Sequence, residues 1–282
     1  MPKRVVSVIA GTKKTTSENT CVPRRLSMKL SVIIITKNES ANIKECLDSV
    51  RFATQVIIVD SGSEDETCLV ASEHGATVIQ RTDWRGFGTQ KNRALEAADG
   101  EWILSIDADE RIPLQLQSEI LYAIETGQHT AYAIPRLSSF CGTFIHHCGW
   151  YPDAIVRLFR RDAARFSDDQ VHEKVIVSRG RIGRLQTPMI HYSYRSDSDY
   201  LRKLQQYSEL GAQQAFAAGK RATLKKAIGH AFAAFIRTYI FKLGFLDGRA
   251  GLMVAISSAE SSYHKYIKLM LLGKEARMSD RN

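Results

Sequence analysis

Between residues 30 and 109 the chain alternates short apolar runs with stretches of helical period, and that alternation leaves few folds open. Leu30-Ser-Val-Ile-Ile-Ile-Thr36, Gln55-Val-Ile-Ile-Val-Asp60, Ala76-Thr-Val-Ile79 and Trp102-Ile-Leu-Ser-Ile106 are β-branched or apolar almost throughout. Strands of that kind are covered on both faces, as in parallel sheets. Between them, residues 41–52 place Ile43, Leu47 and Val50 at helical spacing, with Ser40 or Asn38 available to cap the helix. Glu64-Asp65-Glu66 opens a second helix, where negative charge suits the dipole. Residues 89–98 form a third, behind the glycine loop Trp84-Arg-Gly-Phe-Gly88. Strand and helix alternating at this pace predict an α/β fold, a mostly parallel sheet flanked by helices and joined by right-handed crossovers.

Three of these strands end in polar residues: Thr36-Lys-Asn-Glu39, Asp60-Ser61 and Asp107-Ala-Asp109. In a parallel sheet those ends share one edge, and that edge is where open α/β sheets bind ligands. Two carboxylates at i and i+2 across a small Ala108 can address one cation, and oxygen ligands favour Mg2+ or Mn2+ with a phosphorylated substrate. Lys91, early in a helix behind two glycines, is placed like a phosphate neighbour.

Charge is unevenly distributed over the 282 residues. Residues 1–28 carry six Lys/Arg against one acid, the body is mildly acidic, and residues 220–282 carry 12 Lys/Arg against four acids. Met28 precedes the first strong strand, so residues 1–27 read as a disordered or non-native extension, 28–219 as the α/β body and 220–282 as a helical appendage. The five cysteines are odd in number and irregular in spacing, which fits a reducing, cytoplasmic compartment. Cys141 and Cys148 bracket His146 and His147, but the intervals match no common zinc pattern. No run of 18 uncharged apolar residues occurs, so no membrane-spanning helix is expected.

Taken together, Val32-Ile-Ile-Ile-Thr-Lys-Asn-Glu39, Ile58-Val-Asp-Ser-Gly-Ser63, Gln90-Lys-Asn-Arg93 and Gly100-Glu-Trp-Ile-Leu-Ser-Ile-Asp-Ala-Asp109 resemble, in order and spacing, the family 2 inverting glycosyltransferases. The resemblance covers about residues 29–200. It implies a GT-A fold, a Rossmann-like sheet that binds a nucleotide sugar with Mg2+ or Mn2+. Carried over by position, Thr36 and Glu39 line the nucleotide pocket and Asp60 accepts a hydrogen bond from uracil. Lys91 approaches the diphosphate, Asp107 touches ribose or sugar, and Asp109, with Asp107, holds the metal.

The distal half is less regular. Strands are expected at residues 130–135 and 154–159, with the aromatic turn Gly149-Trp-Tyr-Pro-Asp153 between them. Asp168-Asp169-Gln-Val-His172-Glu173 resembles the Val-His-Glu element of bacterial lipopolysaccharide-core transferases. It points to Glu173 as the base that inversion requires, with Asp169 and Asp168 behind it. His172 reads as an orienting or core histidine rather than the base. Residues 224–245 have helical period, with Phe232, Phe235, Ile236, Tyr239 and Leu243 on one arc and Lys226, His230 and Arg237 opposite. A second helix is expected over residues 250–272. Aromatics beside Lys/Arg suggest helices lying in a membrane interface, although packing on the catalytic domain or on a dimer partner fits the pattern equally well. Leu246-Asp-Gly-Arg-Ala-Gly251 resembles a loop of the same subfamily.

The resemblance to the heptose β-1,4-glucosyltransferase subfamily implies UDP-glucose as donor and the heptose of the lipopolysaccharide inner core, a lipid-anchored glycan, as acceptor. The enzyme would work at the cytoplasmic face of the inner membrane as a peripheral protein. Transfer to a polyprenyl phosphate or another cell-envelope glycan is the nearest alternative. A nucleotidyltransferase is disfavoured because Thr-Lys-Asn-Glu replaces the glycine-rich basic loop after the first strand. Nucleic acid is disfavoured as a partner because the basic tail is apolar and aromatic on one face.

Overall fold

The computed structural model describes residues 29–167 and 173–279. Residues 1–28, with Cys21, and Asp168, Asp169 and His172 lie outside the described residues. The first half reads β1 (Leu30–Thr36), α1 (Ser40–Asp48), β2 (Gln55–Asp60), α2 (Thr67–Glu73), β3 (Thr77–Gln80), α3 (Phe87–Glu96) and β4 (Trp102–Ser105). There follow β5 (Glu110–Arg111), α4 (Leu114–Thr126), β6 (Ala131–Phe140), β7 (Thr143–Phe144) and β8 (Asp153–Arg160). Then come β9 (Ala164–Phe166), β10 (Val175–Val177), β11 (Ile182–Arg184) and β12 (Met189–Tyr194). Three helices close the chain: α5 (Asp197–Ala217), α6 (Leu224–Ile236) and α7 (Gly248–Ser279).

The main sheet runs β3-β2-β1-β4-β8-β6-β12-β5. Strands β3, β2, β1 and β4 are parallel, in register from Thr36 beside Asp60. Strand β8 runs antiparallel between β4 and β6, and β12 lies parallel to β6. The C-terminal ends of β1, β2, β4, β6 and β12 therefore share one edge, as expected for the parallel half.

Alternation along β1 explains why this sheet is buried on both faces. Leu30, Val32 and Ile34 pack with Ile43 and Leu47 of α1 and Ile120 of α4. Ile33 packs on the other face with Ala94 of α3, Phe159 of β8 and Phe166 of β9.

The start of α1 departs from expectation. Neither Ser40 nor Asn38 caps it. Asn38 adopts φ 56° and accepts from the Glu64 amide. The first amides of α1 are satisfied instead from the neighbouring loop, Glu39 N–H by Thr67 and Ser40 N–H by Asp65. The loops after β1 and β2 are thus tied to each other at the ligand edge.

The C-terminal helices also differ from the simple periodic reading. Helix α6 ends at Ile236 and passes through a π turn, Arg237–Phe241, and a 3-10 turn, Gly244–Asp247, before α7. Two glycines permit this reversal, because a Cβ on Gly251 would sit 1.8 Å from the Gly244 carbonyl oxygen. Helix α5, absent from the periodic reading, packs with α7 around Tyr200, Leu204 and Val254. The division at residue 220 falls between α5 and α6, within this helical layer. Among the described residues, no helix is long and apolar enough to cross a membrane.

Candidate active site

Asp60 ends β2 and shapes the loop that follows. Its Oδ1 accepts the amides of Gly62 at 3.0 Å and Ser63 at 2.8 Å. Its Oδ2 accepts the hydroxyls of Thr36 at 2.9 Å and Ser63 at 2.5 Å. Burial alone would raise this carboxyl, but the four hydrogen bonds outweigh it and hold the pKa below the usual value. Glu39 lies nearby, bonded to Asn42, and burial pushes its pKa up.

Beside them, at the end of β4, runs a chain of alternating charges. Lys91 of α3 is buried, with Nζ 2.7 Å from Glu173 Oε1 and 3.0 Å from Asp107 Oδ1. Asp107 Oδ2 meets Arg157 of β8 at 2.6 Å, and the same Arg157 nitrogen reaches Glu110 at 2.7 Å. Glu110 in turn accepts the Asp107 amide and lies 3.5 Å from Arg136. Each Asp107 oxygen thus faces a cation, and its pKa is held well below the usual value because Arg157 and Lys91 overcome the effect of burial.

Asp109 is placed differently. Its Oδ2 lies 3.4 Å from Nε2 of His191, on β12. The other ring nitrogen of His191 sits 2.9 Å from the hydroxyls of both Ser138 and Ser193. With the ring proton on Nδ1 and donated to a serine, Nε2 presents its lone pair toward Asp109. Two ligand atoms of an octahedral ion with bonds near 2.1 Å sit about 3 Å apart, so the Asp109–His191 pair fits a shared divalent cation. No cluster of three or more His, Cys, Asp or Glu side chains arranged for a metal occurs among the described residues. Such an ion would draw its remaining ligands from phosphate and water.

The structure therefore brings Thr36, Glu39, Asp60, Lys91, Asp107, Asp109 and Glu173 to one edge, while Asp169 lies outside the described residues. Sequence reasoning assigned no role to His191, Arg157 or Glu110. The available signal was Arg157 within the apolar run Ala154-Ile-Val-Arg-Leu-Phe159, since a charge in a buried strand needs a partner. His146 and His147 take no part in this edge. His147 pairs with Asp247, whose carboxylate also accepts both histidine amides, and Cys148 is a buried free thiol.

The residues expected on a membrane-facing arc are only partly exposed. Phe235 and Tyr239 stack on each other at 5.5 Å and are half-buried. Of the arc, Phe232 (68%) and Leu243 are exposed, and so, outside it, are Phe241 (77%), Leu246 (57%), Ile228, Leu224, Ile240 and Phe245.

The family model for glycosyl transferase family 2 matches residues 31–228. An uncharacterized glycosyltransferase, RP128, from Rickettsia prowazekii is 30% identical over 86% of each chain. The lipopolysaccharide core biosynthesis glycosyltransferase LpsC of Rhizobium meliloti is 28% identical over 85% of this chain and 93% of its own. Among solved structures, S. aureus TarS 1-349 in complex with UDP aligns over 88% of this chain and 92% of its own, at 16% identity and a TM-score of 0.48. With the matched segment spanning the whole parallel half, the acidic edge and β12, the chain belongs to glycosyl transferase family 2 and is a glycosyltransferase.

Proposed function

We propose that this glycosyltransferase moves a sugar, glucose from UDP-glucose, onto a lipid-anchored glycan, the heptose of the lipopolysaccharide inner core, with inversion and with the help of Mg2+ or Mn2+. The observation that carries the reading is the convergence of Asp109 and His191 beside Asp107 and Lys91 at the ligand edge. The likeness to LpsC supports the choice of acceptor.

The geometry supports the following roles. Asp109 and His191 would hold the divalent ion. When bound, the ion offsets negative charge on the departing diphosphate. Asp60 would receive the uracil ring N–H on Oδ2, in exchange for the Ser63 hydroxyl that now occupies that oxygen. Asp107 is fixed by Arg157 and Lys91, so one carboxylate orients two cations, and it would face the ribose or sugar. Lys91 would turn from Glu173 toward the diphosphate, freeing Glu173 to take the proton from the acceptor hydroxyl.

Membrane attachment would come from the reversal between α6 and α7. Phe241, Phe245 and Leu246 are exposed there, with Lys242 and Arg249 beside them in the chain. Exposed aromatics flanked by cations suit the surface of an anionic bilayer, where a lipid-anchored acceptor is found.

The metal assignment is tested by Asp109→Ala and His191→Ala, each assayed for transfer across a Mn2+ titration. Asp109→Ala should abolish turnover, and His191→Ala should shift the Mn2+ dependence to at least about tenfold higher concentration, since even partners behind a metal's ligands act on that scale. An unchanged Mn2+ dependence in His191→Ala would remove it from the ligand set.

A further inference from the structure

The groove between α6 and α7 has a composition that simple helix packing does not require. It encloses about 640 Å³. A seam between two packed helices is ordinarily apolar. Here α7 presents Ser257, Ser258, Ser261 and Ser262, a stripe at i, i+1, i+4 and i+5. Facing it, α6 contributes His230 and Arg237, and Lys265 closes the α7 side. No carboxylate lines the groove. Neither Arg237 nor Lys265 has an ion-pair partner among the described residues. The small serines leave the space, and their hydroxyls can both donate and accept hydrogen bonds.

The other wall is aromatic. Trp150 and Tyr194, 6.0 Å apart, enter from the sheet side, and Tyr266 is stacked on His230 at 4.0 Å. Aromatic faces beside hydroxyls and cations suit a sugar ring that carries a negative charge. Tyr194 also fixes the groove's position. It lies on β12 three residues beyond His191, at most about 10 Å along a strand. One strand thus links the groove to the edge where Asp109 and His191 meet.

We propose that this groove binds the anionic part of the acceptor, a saccharide bearing a phosphate or carboxylate, with Arg237 and Lys265 receiving the charge and Trp150 and Tyr194 receiving the ring. The proposal rests on the glycosyltransferase reading and adds the acceptor's chemical class: the enzyme recognises a charged neighbour of the sugar it modifies.

The test is calorimetric titration of the full chain with glucose 6-phosphate, glucose, inorganic phosphate and, separately, UDP. Glucose 6-phosphate should bind and quench Trp150 fluorescence, and Trp150→Phe should lose the quench. The double variant Arg237→Gln/Lys265→Gln should bind it at least about tenfold more weakly, the loss expected when charge-assisted hydrogen bonds are removed. Ser261→Leu, which fills the groove without touching its charges, should weaken it as well, and both variants should bind UDP as the wild type does. Equal binding of glucose 6-phosphate by wild type and double variant overturns the proposal. Glucose, or inorganic phosphate alone, binding as tightly as glucose 6-phosphate also overturns it. Failure of the wild type to bind UDP with metal would strike the donor reading instead and leave the groove result standing.

Discussion

Arg157 holds two carboxylates on one guanidinium nitrogen, in a strand where only a paired charge can be buried. Its value differs in kind from that of Arg179 with Asp162, whose side chains are 65% and 66% exposed. An exposed pair contributes at most about 1 kcal/mol, whereas Arg157→Leu should cost about 3–5 kcal/mol because it strands Asp107 and Glu110. The pH dependence gives this prediction a sign. Asp107 is depressed on folding, so its stabilisation is present at neutral pH and lost as pH falls below the usual carboxylate range. Burial raises Glu110 against the pull of Arg157, so protonation favours its folded form, and its contribution is lost as pH rises through its folded pKa. Removing Arg157 raises both carboxyls. The destabilisation measured by urea unfolding should therefore shrink from about pH 6 to about pH 3, and a pH-independent difference would contradict the pairing. Glu173 is tested by Glu173→Gln, which should keep UDP binding and lose transfer by about a hundredfold or more; loss of donor binding instead would make it a partner of Lys91 and no base. The convergence of Asp60, Lys91, Asp107 and Asp109 on one edge was legible in the sequence because the three carboxylates end or follow strands β2 and β4 and Lys91 lies in the first half of α3. Arg157 lies 50 residues from Asp107, and nothing local announces which strand brings it there. The contact of His191 with Asp109 was hidden for the same reason.

At the scale of elements, the parallel half was readable because its strands are short, continuous and β-branched, and their order follows from crossover rules. Helix α5 was not, because its buried stripe is Tyr200, Leu204, Ser208 and Ala212, only two of which are large and apolar. The α6 period continued past its true end because side-chain spacing does not register the close approach of Gly244 and Gly251. Phe232 and Leu243 of the expected arc stay exposed, Phe235 and Tyr239 are half-buried, and the reversal adds Phe241 and Leu246 to the exposed set. Phe241→Ser with Leu246→Ser should therefore weaken sedimentation with anionic vesicles about tenfold or more, while Tyr239→Ser should act on stability. Unchanged vesicle binding by the double variant would leave the reversal without a membrane role.

For the whole molecule, one edge of one sheet gathers the residues proposed to hold donor and metal and to act as base, and the helical layer adds a groove and an apolar rim. The loop 146–149 is tied to the α6–α7 reversal through Asp247 and the Lys242 carbonyl, so sheet and helices are held together close to β12. The most direct measurement is sugar transfer from UDP-glucose to heptose-terminated lipopolysaccharide with Mn2+, Mg2+ or EDTA, following product and UDP together. The account predicts equimolar product and UDP with either metal and neither with EDTA. Equal transfer in EDTA, or no nucleotide-sugar binding under any metal condition, would contradict it.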